Sequence, residues 1–257
     1  MSASVVVPQS GLDGVVAPQE PIHLEIPMDI QDQYNVIKGE ITPEREKAIS
    51  ESYDYLKNLG FSDYLFGEIE GLVYLDGDLE KNVLGKTECG ISEEDVYCRV
   101  LLKPEIYDKP FTKMKEGSPE HIAAKYHQVH TLAHEIHHKD FLESQKGMDV
   151  VNALEELGYA QSEIAGVIEM VTEKELIDMY AETGAEDMAF MARRNTPYRK
   201  QLERAYRIED LFDGGMNGFL QALAGNDVDK KELDTYMAGI GVPIHKGMSY
   251  RMCICSK

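Results

Sequence analysis

No run of apolar residues in this chain approaches the length of a membrane span, so a transmembrane helix is not expected. Basic residues are scarce. Lys and Arg number 26 against 46 Asp and Glu, for a formal net charge of −20. That excess argues against nucleic-acid backbones and anionic membranes as partners; it favours solubility and, weakly, cationic ligands. The opening residues Met1 to Pro8 carry neither a basic region nor a long apolar region, so no secretory signal is expected. Cysteine is sparse as well: Cys89, Cys98, Cys253 and Cys255, with no Cys-x-x-Cys spacing. This usage does not suggest a disulfide framework, and a reducing cytoplasm is the expected setting. Cys253-x-Cys255 reads as two small residues in a terminal strand. There is no internal repeat.

What is present divides the 257 residues into an arm and a domain. Residues 1–40 are rich in Val, Pro, Gly and Gln without helical period, and read as an extended N-terminal arm that lies against its own domain or a neighbour in an assembly. Residues 41–257 form the domain. Thr42-Pro43-Glu44 opens a helix with an apolar stripe of Ala48, Ile49, Tyr53 and Leu56, and Gly60 ends it. Between about 61 and 108, Leu72–Leu75, Asn82–Cys89 and Val96–Leu102 read as a small, mostly antiparallel sheet, closed by Pro104. Ser118-Pro119-Glu120 then opens a long helix to about 142. Helices are expected at about 149–157, 162–171 and 173–194, the last from a Thr172–Glu175 capping box, and through 196–257. Sheet first and helices after gives an α+β chain.

The long helix carries His134-Glu135-Ile136-His137-His138. Positions four apart share a helix face, so His134 and His138 can hold one metal ion from the same side, and Glu135 can reach a water beside it. Two neutral nitrogen ligands and a carboxylate base are the minimal kit for zinc-assisted hydrolysis. The plain alternative is a His-rich solvated helix face. His137 is turned about 100° from His138 and is not expected to be a ligand. His130, one turn before His134, is a candidate neighbour of the ligands or a buried histidine with a backbone partner.

A hydrolytic zinc site usually takes three protein ligands. Phe141 and Ser144 stand where a metzincin would need Gly and His, which excludes that branch. Glu182-Thr183-Gly184-Ala185-Glu186, downstream of the His-Glu-x-x-His helix, resembles the Glu-x-x-Ala/Gly-Asp segment of gluzincin metallopeptidases. The resemblance covers roughly residues 83–194. It implies a zincin-like fold, Zn²⁺ held by His134, His138 and Glu182, and Glu135 as general base. It also implies Glu186 as the acid that orients a ligand histidine, though Glu replaces the family's usual Asp here. The strand before the zinc helix would pair with an extended peptide substrate. Glu163, Glu155, Glu156, Glu169 and His245 are rival third ligands. Tyr198, Tyr206 and His245 are unranked candidates for stabilising an oxyanion.

The expected function is a zinc-dependent peptidase acting on a peptide or protein substrate, with Glu135 activating water. The competing expectation is a catalytically silent zincin-like structural or assembly protein in which zinc is a staple. A latent zymogen with a cleft covered by residues 1–40 or the C-terminal segment is a variant of it. A di-iron helical site fits poorly, because no second Glu-x-x-His follows residue 138.

Overall fold

Thr42 accepts a hydrogen bond from the backbone N of Arg45 at 3.2 Å, and Pro43 follows at the first helical position, so α1 (Pro43–Asn58) begins where its cap dictates. The computed structural model describes residues 42–61, 73–75, 77, 79, 83–91, 96–225, 228 and 230–241, and the strands β1 (Ala3–Val5) and β2 (Ile22–Leu24). The two strands pair antiparallel; the rest of the expected arm lies outside the described residues. So do His245, Cys253 and Cys255.

A three-stranded sheet follows α1: β3 (Val73–Leu75), β4 (Gly85–Ile91) and β5 (Val96–Leu102), in the order β3-β5-β4. β4 pairs antiparallel with β5, with Thr87 opposite Val100 and Cys89 opposite Cys98. β3 pairs parallel with β5, so the sheet is mixed where a mostly antiparallel one was expected. Val100 and Leu102 put one face of the central strand into the core. Cys89 and Cys98 are joined in a disulfide, a pairing the sparse cysteine count did not suggest.

Two short 3-10 turns, Pro104–Tyr107 and Phe111–Lys113, lead into α2 (Pro119–Glu143). Gln128 of α2 ties this crossover down. Its amide nitrogen donates to the carbonyls of Ile106 and Lys109, both at 2.8 Å, and its side-chain oxygen accepts from Phe111 N. Ser118 caps α2 by accepting from His121 N at 3.2 Å, as expected. Ser144 both ends α2 and caps α3 (Gln145–Glu156), accepting from Gly147 N at 3.0 Å. Gly147 is required at this corner: a Cβ there would stand 1.8 Å from the carbonyl oxygen of Phe141.

Then come α4 (Gln161–Glu182), α5 (Glu186–Asn195), α6 (Arg199–Glu209), α7 (Gly215–Ala224) and α8 (Lys230–Met237). The described chain is thus mostly helical with a small sheet. The helices expected at 162–171 and 173–194 form differently. α4 runs through Thr172 unbroken, because Thr172 is buried and its hydroxyl sits 3.1 Å from Nδ1 of His137 instead of capping a helix. The break comes at Gly184, whose φ of 77° turns the chain between α4 and α5.

Two apolar clusters make up the core. One gathers Leu56, Val100, Leu102, Val129, Leu132, Ile136, Ile177 and Tyr180 between α1, the sheet, α2 and the end of α4. The other gathers Phe141, Val150, Leu154, Ile164, Ile168, Phe219 and Leu233 among the start of α4 and the later helices. α2 and α4 run through both clusters side by side. Between them the two helices face each other with polar side chains.

Candidate metal centre

His130, His134 and His138 follow one another at four-residue spacing on α2, and Glu169 and Glu173 do the same on α4. All five are buried. Nε2 of His134 lies 3.2 Å from Oε2 of Glu169, and Nε2 of His138 lies 3.4 Å from that same oxygen. Nδ1 of His134 lies 3.1 Å from Oε1 of Glu173. His134, His138 and Glu169 each offer one donor atom, all within 4.8 Å of one another.

These residues fit zinc. Donors about 2.0–2.1 Å from a tetrahedral ion stand about 3.3 Å apart, and the two carboxylate–imidazole separations here bracket that value. The donor set of two imidazoles and one carboxylate is one used by catalytic zinc sites. Charge balance requires either a cation or protonated imidazoles here. Glu135, Glu169 and Glu173 are all nearly withdrawn from solvent, and an uncompensated buried carboxylate costs several kcal/mol, roughly, so positive charge is needed among them. Without an ion the imidazoles supply it. Burial alone would raise Glu169, but His138 and His134 overcome it and hold the carboxyl well below the usual range. Burial would likewise lower His134, yet Glu169 and Glu173 push it well above the usual histidine value. Glu173, with burial opposing and His130 and His134 prevailing, is lowered to about 2.

Glu135 faces the sheet. The Thr87 hydroxyl lies 2.8 Å from its Oε2 and 2.8 Å from its backbone carbonyl oxygen. Gly85 passes so close that a Cβ on it would stand 2.6 Å from Cγ of Glu135 and 2.8 Å from Oε1. Burial raises the Glu135 carboxyl, opposed by the charges of His134 and His138 and by the hydrogen bond from Thr87. The β4 segment at Gly85 and Thr87 thus walls one side of the base.

Among the described residues Glu182 does not join the donor groups. Glu182 ends α4, is exposed, and stands thirteen residues beyond Glu169, about 20 Å along the helix axis. Glu186 begins a separate helix and is also exposed, so the expected pairing of the two on one helix face does not form. Glu169 and Glu173 occupy the places expected of them. Glu163, a rival, is spent on the start of α4, where its Oε2 accepts from the backbone N of Ala160 at 2.8 Å. Glu155 and Glu156 end α3 and belong to neither donor group.

His137 points away from the donors, with Nε2 2.7 Å from Oε2 of Glu175 and Nδ1 beside Thr172. His130 lies beside Glu173. Its Nε2 is 3.6 Å from Oε1 of Glu173, and its ring stacks on Tyr126 at 4.8 Å between centroids. Of the oxyanion candidates, Tyr198 is at the site: its ring stacks on His134 at 5.8 Å and 9°. Burial and then the charges of Glu169 and Glu135 push its phenol up. Tyr206 instead lies under the ammonium of Lys174, 5.1 Å away.

Glu169 is among the rival ligands in the sequence, whereas Glu173 and Thr87 stand in no metal-site motif. Two acids four apart inside the apolar run Ile164–Ile177 were the available signal, since such residues must be buried and paired. No protein-family model, curated protein or solved structure matches this chain. Among the described residues no helix is long and apolar enough to cross a membrane.

Proposed function

We propose that this protein is a zinc-dependent peptidase in which His134, His138 and Glu169 hold the metal and Glu135 is the general base. The observation that carries the reading is the convergence of Nε2 of His134, Nε2 of His138 and Oε2 of Glu169, with Glu135 next to the first ligand and held by Thr87. Bound there, zinc would supply Lewis acidity, acidifying water and polarising a carbonyl.

The chain's own groups do the rest. Glu173 accepts from Nδ1 of His134 and so turns Nε2 toward the metal position. Glu135 removes a proton from the attacking water and returns it to the leaving amine. Its raised affinity for a proton, from burial, suits that exchange. The Tyr198 hydroxyl, kept protonated and hydrogen-bonded to Glu169, turns its proton to the oxyanion that develops on the scissile carbonyl. Among the described residues β4 has a strand neighbour on one side only, so its free edge beside Glu135 supports an extended peptide as the substrate class. The Cys89–Cys98 bond supports an oxidising compartment over the reducing cytoplasm.

The test is zinc content and cleavage of an unfolded protein in the same preparations. Glu135→Gln should keep zinc and lose cleavage by a factor of about 100 or more. Cleavage at wild-type rate by that variant contradicts the reading. Zinc retention without cleavage by the wild type favours the structural-staple alternative.

A further inference from the structure

His134 presents a nitrogen to each of two carboxylates, and only one of them belongs to the centre already described. On its Nδ1 side, Oε1 of Glu173 lies 3.1 Å from His134 and 3.6 Å from Nε2 of His130. His130, His134 and Glu173 form a second group whose donor atoms all lie within 4.8 Å of one another. A hydrogen bond from His134 accounts for one oxygen of Glu173. It does not account for the other: Oε2 is buried and has no hydrogen-bond partner among the described residues. Nor does it account for a second imidazole turned toward the same carboxylate. The ring of His130 is set for that orientation, stacked on Tyr126 and with Nδ1 3.5 Å from the Tyr180 hydroxyl, which leaves Nε2 facing Glu173.

We propose a second divalent-cation site made of Nε2 of His130, Nδ1 of His134 and both oxygens of Glu173, one helical turn from the first and sharing His134 with it. The proposal rests on the assignment of the first site, because the two ions bind opposite nitrogens of one ring. Two imidazoles and a carboxylate select Zn²⁺ or Co²⁺ over Mg²⁺ or Ca²⁺. The second ion binds more weakly, since it displaces the ring proton that His134 directs at Glu173. Its binding also withdraws that carboxylate from orienting His134, so occupancy of the second site perturbs the first.

The experiment is titration of the chelator-stripped full chain with Co²⁺, reading stoichiometry by equilibrium dialysis and the visible absorption of the bound ion. It compares the wild type with His130→Phe, His130→Asn and His138→Phe, each checked for folding by circular dichroism. Two steps are expected in the wild type, the second at least tenfold weaker. Both His130 variants should lose the weak step and keep the tight one, and His138→Phe should lose the tight one. A single wild-type step that His138→Phe abolishes and the His130 variants leave unchanged overturns the second site and leaves the first standing. Two steps surviving in both His130 variants place the second ion elsewhere and also overturn it. No binding at all overturns both the second site and the metal reading beneath it.

Discussion

The Thr87 hydroxyl, on β4, lies 2.8 Å from the Glu135 carboxylate, on α2, and 2.8 Å from the carbonyl oxygen of the same residue. The single hydroxyl proton is shared between these two acceptors, tethering the proposed base to β4. A hydrogen bond to a charged group contributes about 1.5–3 kcal/mol, which corresponds to roughly 10- to 100-fold in rate if it acts on the transition state. Thr87→Val is expected to lower kcat by that factor with KM and zinc content unchanged, and Thr87→Ser to restore most of it. Loss of zinc in Thr87→Val, or no change in kcat, contradicts a positioning role for Thr87.

Gly85 makes a steric version of the same claim. Its missing Cβ leaves room for Glu135 and for Cγ2 of Thr131, which a Cβ would approach to 2.9 Å. Because Thr87, two residues along the same strand, holds Glu135, the carboxylate cannot swing clear without losing that hydrogen bond. Gly85→Ala is expected to fold and bind zinc yet cleave at least tenfold more slowly. A variant with full activity means that the base has more freedom than the packing indicates.

Glu88 sets a pH dependence remote from the metal centre. It pairs with Lys86 at 2.6 Å and with Arg99 at 2.7 Å across β4 and β5. Burial alone would raise its carboxyl, but the hydrogen bonds from Lys86 and Arg99 prevail and lower it. A lowered folded-state pKa contributes stability that is present above the ordinary glutamate value and is lost as pH falls through the lowered one. The pair is partly exposed, so the contribution is at most about 1 kcal/mol. Denaturant unfolding at pH 7 should find Glu88→Gln slightly less stable than wild type, and the gap should narrow as pH falls below the ordinary glutamate range. A gap independent of pH would assign the loss to packing rather than charge.

The Cys89–Cys98 bond staples β4 to β5 two residues beyond Thr87. Closing a loop this short stabilises by about 2–3 kcal/mol through the unfolded chain. Reduction, or Cys89→Ser with Cys98→Ser, is expected to lower Tm by several degrees. An unchanged Tm would show that the hairpin's hydrogen bonds alone hold β4 in place.

Much of this architecture was legible because it is written in local chemistry. Thr42-Pro43 and Ser118-Pro119 state where α1 and α2 begin, and the mostly apolar run from Val96 to Leu102 declares β5. The spacing of His134 and His138 puts the two imidazoles on one helix face. The placement of Glu169 beside the two imidazoles is hidden for an equally local reason. Thr172-Glu173-Lys174-Glu175 has the letters of a capping box, but Thr172 is buried mid-helix against His137, so no helix starts there. Placing the start at Thr172 cut Glu169 off from the helix that carries Glu173 and lent weight to Glu182. Which carboxylates α4 turns toward α2 depends on how two helices pack over both core clusters, and no local spacing encodes that. Thr87 and Gly85 carry no local signal, because their importance arises from contacts about fifty residues away along the chain.

The most direct measurement is the position of the metal itself, from anomalous diffraction at the zinc edge on crystals of the full chain. A peak is expected within about 2.2 Å of Nε2 of His134, Nε2 of His138 and a carboxylate oxygen of Glu169, with Glu182 distant. A peak coordinated by Glu182, or none between α2 and α4, would contradict the site on which the proposed function rests.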